Sequence, residues 1–214
     1  MSGILILGES GTGKSSSIRN LDPVETYIIR VIDKPLPFRG WKTKYISDRG
    51  EKPHTKVSDN SDQIVKWISQ ISEKKPEIKT IIIDDAQYLM SNEFMRRSDE
   101  KGYDKFTDIA KHFWDVVNAV GRVRDDLMVF VLAHTEMDEY GKLKIKTVGK
   151  LTDKMITPEG MFSIVLFTNI EDGKYSFITQ NNGGTTAKSP MGMFESLKID
   201  NDLQLVINAI KEYE

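Results

Sequence analysis

The sequence predicts an α/β domain in which a mostly parallel sheet carries helices on both faces and an antiparallel strand at one edge. Three observations lead there. Short apolar runs alternate with stretches of helical periodicity; the runs are apolar throughout, as strands buried on both faces must be; and an Asp172-Gly173 turn separates the last two strand-like runs by a hairpin's length. With 214 residues, a single domain spanning 1–214 is the expectation.

The elements follow in order. Ile4–Leu7 reads as a buried strand, a glycine-rich loop comes next, and Ser15–Asn20 reads as a short helix. After an Asp22-Pro23 turn, Thr26–Ile32 has the β-branched and aromatic content of a strand. Prolines and glycines break 34–58 into an irregular excursion from the sheet, with one short strand expected near Lys44–Ile46. Ser61–Lys75 is an amphipathic helix with Ile64, Trp67, Ile68 and Ile71 on one face, Asn60 or Ser61 able to cap it, and Pro76 closing it. Thr80–Ile83 is a buried strand. Lys105–Arg124 is a longer helix whose stripe includes Phe106, Ile109, Phe113, Val116, Val117, Val120 and Val123. Leu127–Ala133 and Met161–Thr168 are strands, Lys174–Ile178 is the antiparallel one, and Asp202–Tyr213 is a closing helix.

Bulk properties exclude more than they assign. Thirty Lys and Arg against 32 Asp and Glu give a net charge of −2, so the surface as a whole does not seek polyanions and any nucleic-acid contact must be local. Zero cysteines remove disulfides and thiolate metal sites. No stretch approaches the roughly 18 apolar residues that span a bilayer, so no membrane partner is expected and a cytoplasmic setting is.

Gly8-Glu9-Ser10-Gly11-Thr12-Gly13-Lys14-Ser15 matches GxxxxGK[ST] between a strand and a helix. The glycines, Gly8 and Gly13 above all, are expected to supply positive φ and close backbone approach to phosphate oxygens. Ser10, Gly11, Thr12 and Ser16 complete the cradle. Lys14 adds charge at the β- and γ-phosphates and the Ser15 hydroxyl is a Mg²⁺ ligand. Thr80-Ile81-Ile82-Ile83-Asp84-Asp85 is an apolar strand ending in acids: Asp84 suits the magnesium shell, and Asp85 can orient or deprotonate an attacking water. The competing role for both is capping the following helix. At the end of the next strand, His134 or Thr135 is placed to sense the γ-phosphate if the strands are parallel. His54 and His112 read as structural.

Together GESGTGKS, IIIDDAQYL, FVLAHTE and TTAKSPMGMF resemble the phage-encoded P-loop ATPases of the RecA-like group, which includes single-strand-annealing-type recombinases. The resemblance implies a RecA-like P-loop NTPase core, ATP with Mg²⁺, and oligomers on single-stranded DNA in phage recombination or replication, beside a phage single-strand-binding or replication protein. That group's pattern places a catalytic glutamate after the second strand, where this chain offers only Asp33, which keeps Asp85 ahead as the base.

Two basic segments are candidates for DNA contact. Arg30 to Lys56 holds eight Lys/Arg (30, 34, 39, 42, 44, 49, 52, 56) against three acids (33, 48, 51), interleaved with Phe38, Trp41 and Tyr45; the alternative is a solvated excursion anchored by its rings. Lys142 to Lys154 holds five lysines (142, 144, 146, 150, 154) and one acid, Asp153. Lys188, in the Gly183–Pro190 loop, is a candidate cation for a nucleotide held by a neighbouring subunit, with Lys146 as its competitor. The functional classes, in order, are a DNA-stimulated ATPase, a nucleotide-gated accessory such as a helicase loader with slow turnover, and a nucleotide kinase. The last ranks lowest because Arg96, Arg97, Arg122 and Arg124 fall on helices rather than in a lid. ATP over GTP rests on the resemblance and on the lack of an NKxD guanine-reading motif.

Overall fold

The computed structural model describes residues 3–45, 54–181 and 183–214. Among the described residues the strands are β1 (Gly3–Gly8), β2 (Thr26–Arg30), β3 (Thr55–Val57), β4 (Thr80–Asp84), β5 (Met128–Met137), β6 (Leu143–Ile145), β7 (Ile164–Glu171), β8 (Lys174–Ile178) and β9 (Lys198–Asp200). Five α-helices are α1 (Trp41–Tyr45), α2 (Ser61–Lys74), α3 (Tyr88–Arg96), α4 (Asp104–Val120) and α5 (Leu203–Tyr213). The sheet order is β3-β2-β4-β5-β1-β7-β8-β9, with β6 paired to the far end of β5. The six strands from β3 to β7 pair in parallel; β8 and β9 are antiparallel additions.

Strand alternation divides the core between two faces. Leu5, Leu7, Ile81, Ile83, Val129 and Val131 point to one side, where α2 contributes Ile64, Ile68 and Ile71 and α4 contributes Ile109, Phe113, Val116 and Val120. Ile4, Ile6, Ile82, Phe130 and Leu132 point to the other, against Ile18 and the α5 stripe of Leu203, Val206, Ile207 and Ile210. The expected α/β sheet with helices on both faces is what folds. Asn60 is the residue that caps α2, its Oδ1 accepting the Gln63 N–H at 2.9 Å.

Several elements differ from expectation. The excursion after β2 is not wholly outside the sheet, because β3 returns to pair with β2 as its edge; three residues, one of them lysine, carry too little apolar signal to announce a strand. Where a strand was expected at Lys44–Ile46, Trp41 to Tyr45 forms α1, whose i,i+4 rings are both buried; Ile46 lies outside the described residues. The segment after the phosphate loop, Ser15–Asn20, is a 3₁₀ helix. The antiparallel β8 is not the edge, since β9 covers it. Of the four arginines, only Arg96 lies within a helix, and the others follow helix ends. Arg96 pairs with Asp59, Arg97 with Glu93, Glu100 and Asp108, and Arg124 bonds the Ile71 and Ser72 carbonyls. Among the described residues no helix is long and apolar enough to cross a membrane.

Candidate functional site

Parallel strands bring their carboxyl ends to one edge, and in such sheets ligands bind beyond that edge. β5 lies between β1 and β4. The phosphate loop leaving β1, His134 on β5 and the Asp84-Asp85 pair on β4 are therefore neighbours, with Gly8 and His134 in direct register. A cleft of about 320 Å³ is lined by Ser10, Gly11, Gly13, Lys14, Ser15, Ser16, Lys34, Pro35, Pro37, Asp85 and His134.

The loop's glycines divide their work differently from expectation. Gly11 (φ 79°) and Gly13 (φ 99°) hold the positive φ, whereas Gly8 does not. Gly8 is required for packing: a Cβ there would lie 1.7 Å from Thr168 Oγ1. Thr168, midway along β7, also meets Thr12 Oγ1 at 2.5 Å, while Thr12 donates to the Glu9 carbonyl at 2.7 Å. Gly8 and Thr12 thus support the loop from behind instead of lining the cleft. Lys14 is 5% exposed and folds back, its Nζ donating to the carbonyls of Gly8 (2.8 Å) and Glu9 (2.7 Å). Burial lowers its pKa from 10.5 to about 8, despite the opposing charges of Asp85 and Asp84.

Ser15 Oγ donates to Asp84 Oδ1 at 2.7 Å. Burial pushes the Asp84 carboxyl up to about 6, and the adjacent Asp85 charge adds to the shift. One hydroxyl and one carboxylate at hydrogen-bond distance are hard oxygen donors of the kind Mg²⁺ takes when it keeps waters and phosphate oxygens as its other ligands, so the pair fits that ion. Among the described residues no cluster of three or more His, Asp or Glu side chains offers a protein-only metal cage.

Asp85 adopts φ 63°, an uncommon conformation for a non-glycine residue. The turn it makes lets Ala86 N–H reach the Leu132 carbonyl at 2.8 Å. Its carboxylate is ion-paired with Lys34, and His134 Nε2 lies 3.5 Å from Oδ1. Burial alone would raise Asp85, but His134 and Lys34 hold it below the usual carboxylate value. Neither acid caps α3, which has no side-chain cap. His134 is further fixed by its own N–H, bonded to Gln87 Oε1 at 3.0 Å, and by the edge of its ring against Tyr88.

Lys34, Gln87 and Thr168 were not singled out for this site by sequence. A sequence signal existed for Lys34 in its position just after a strand of the parallel sheet. Asp33, the alternative base, instead pairs with Arg30 at 3.1 Å, is largely exposed and does not line the cleft. Thr135 pairs with Ile145 on β6 and is not among the residues that line the cleft. Lys188 is not brought to this cleft: its backbone bonds Val165, three residues before Thr168 on β7. Lys146 is nearer, its N–H donating to the His134 carbonyl at 2.8 Å.

In the first basic segment, Trp41 and Tyr45 are buried and Phe38 packs against the same core, so the rings anchor the excursion and are not free for stacking. Arg30 is buried over Trp41, while Arg49 and Lys52 lie outside the described residues. In the second segment Lys144 is paired with Asp153 and Glu136. His112 bridges to Glu93 and His54 to the Pro23 carbonyl, both structural contacts.

A search of curated proteins found no match. The family model described as an AAA domain matches residues 2–191, from β1 through the loop that precedes β9. The chain therefore belongs to the AAA domain family and is a nucleotide-binding domain of ATPase type.

Proposed function

We propose that the chain binds ATP with Mg²⁺ in the 320 Å³ cleft and hydrolyses it. The observation that carries this reading is the 2.7 Å bond between Ser15, at the end of the phosphate loop, and the buried Asp84 of β4. It brings together one hydroxyl and one carboxylate, donors of the kind a phosphate-bound magnesium takes. When bound, the ion supplies charge neutralisation at the β- and γ-phosphates. Lys14 leaves the Gly8 and Glu9 carbonyls for the phosphates. Lys34 exchanges Asp85 for the same anion, which frees the Asp85 carboxylate to accept a proton from, or orient, the attacking water. His134, bonded through its backbone and touching Asp85, registers whether the γ-phosphate is present.

Asp84→Asn tests the assignment directly. The Mg²⁺ concentration needed for half-maximal ATP hydrolysis rises by about tenfold or more, and an unchanged requirement refutes it.

The finer setting, a RecA-like phage ATPase that oligomerises and acts on single-stranded DNA in recombination or replication, follows from the motif resemblance. One contact favours coupling to DNA: Lys146 N–H to the His134 carbonyl joins the Lys142–Lys154 segment to the cleft. Hydrolysis is then stimulated by single-stranded DNA, and Lys146→Ala and Lys150→Ala together remove the stimulation while basal turnover stays. Turnover that is slow and indifferent to DNA favours the nucleotide-gated accessory instead.

A further inference from the structure

A second cavity flanks the phosphate loop on the side away from Asp85 and His134. It is a groove of about 490 Å³ whose walls include Ser16, Arg19, Lys174, Tyr175, Asp200 and Asn201. Ser16 lines both this groove and the phosphate cleft, so the two adjoin at the end of the loop. Sheet register explains the juxtaposition. Leu7 pairs with Phe167, and two residues further along β7 Asn169 pairs with Ser176 of β8, which pairs with Asp200 of β9. The start of β8 and the end of β9 therefore stand at the same edge as the phosphate loop.

Two groups in the groove have unspent capacity. Tyr175 rests against the loop, where a Cβ on Gly13 would lie 2.9 Å from its Cδ1, yet the residue is 48% exposed. Asn201 is 3% exposed and its side chain also packs on Gly13. Its backbone is committed, the N–H to the Tyr175 carbonyl at 3.3 Å and the carbonyl to Arg19 at 2.6 Å. Its Nδ2 donates to no acceptor among the described residues. A buried amide without an acceptor is costly unless a ligand supplies one.

We propose that this groove receives the nucleoside of the triphosphate held at Gly8–Ser15, a purine base stacking on Tyr175 and Asn201 Nδ2 donating to an acceptor on the same nucleoside. The inference rests on the nucleotide-binding reading above and adds to it the part of the ligand beyond the phosphates. A ring that stacks on a base discriminates by π surface, so the larger purines bind better than pyrimidines.

Calorimetric affinities for ATP, CTP and inorganic tripolyphosphate, all with Mg²⁺, test the assignment in the intact chain and in Tyr175→Ala and Tyr175→Phe. The unmodified chain binds ATP more tightly than CTP, and both more tightly than tripolyphosphate. Tyr175→Ala weakens ATP by roughly tenfold and leaves tripolyphosphate unchanged, while Tyr175→Phe keeps the affinity for ATP. Tyr175→Ala binding ATP as the unmodified chain does overturns the groove assignment. So does an equal loss for ATP and tripolyphosphate, because Tyr175 then only supports the loop. An unmodified chain that binds tripolyphosphate as tightly as ATP overturns the groove while sparing the phosphate site. One that binds neither overturns both.

Discussion

On one flank of the Gly8–Ser15 loop, Asp84, Asp85, Lys34 and His134 bring four ionisable groups together; on the other, Tyr175 and Asn201 present a ring and a neutral amide in a groove also lined by Arg19, Lys174 and Asp200. The first flank is dominated by charge, and there position within a few ångströms decides protonation. Asp84 and Asp85 are adjacent and almost equally buried, yet they shift in opposite directions. For Asp84, burial and the Asp85 charge outweigh the Ser15 hydroxyl and the charges of Lys34 and Lys14, whereas for Asp85 direct contact with His134 and Lys34 outweighs burial. An ionised Asp85 beside a proton-prone Asp84 suits the proposed division, in which Asp85 orients the attacking water and Asp84 belongs to the magnesium shell. The proposed contribution of the second flank is shape and stacking, through the Tyr175 ring and the Asn201 amide.

The largest effect expected from breaking this division is at Asp85. Asp85→Asn keeps the side chain's shape and removes its charge, so turnover falls by roughly a hundredfold or more while ATP affinity holds or improves. Single-turnover hydrolysis beside equilibrium binding measures both; a parallel loss of binding would place Asp85 in ground-state recognition instead.

Next in size is Gly8→Ala, which probes the wall common to both flanks. Its Cβ would collide with Thr168 Oγ1, and overpacking of this kind costs about 1–3 kcal/mol. Thermal unfolding of Gly8→Ala and of Gly8→Ala/Thr168→Ala measures it. Part of the loss returns in the double variant, whose nearest contact becomes Thr12 Oγ1 at 2.7 Å, with the Thr168 Cβ position at 3.0 Å.

A smaller, titration-based effect separates the flanks by pH. Lys14 has a folded value near 8, against an ordinary 10.5. Because the folded value is the lower one, the ligand-free protein gains stability as pH rises from about 8 towards 10.5. A bound triphosphate favours the charged lysine, so ATP binding near pH 9 takes up close to one proton. Calorimetry in buffers of different ionisation enthalpy reads that uptake, and Lys14→Arg removes it. Tyr175→Phe leaves it intact.

How much of this was legible in the sequence follows the same asymmetry. The charged flank is written in contiguous motifs: a glycine loop, a strand ending in Asp84-Asp85, and another ending in His134. Their convergence needed only parallel strands. One residue of displacement was harder to read, since Asp33 turns back to Arg30 while Lys34 reaches Asp85. Trp41 and Tyr45 looked like stacking rings among lysines because nothing local states that their neighbours are Ile18, Leu21 and the strands. The open flank was illegible: Tyr175 and Asn201 meet Gly13 only through two antiparallel pairings, one of them to a three-residue strand that polar residues conceal.

In the proposed site, Gly8–Ser15 and Asp84 hold Mg²⁺ and ATP for hydrolysis. Phosphate release from ATP by the purified chain, with Mg²⁺, with chelator, and in the Lys14→Ala variant, tests it most directly. The expected outcome is release with Mg²⁺ that chelator abolishes and that Lys14→Ala reduces by roughly a hundredfold or more. Release that persists in Lys14→Ala, or no release from the intact chain under any of these conditions, would contradict it.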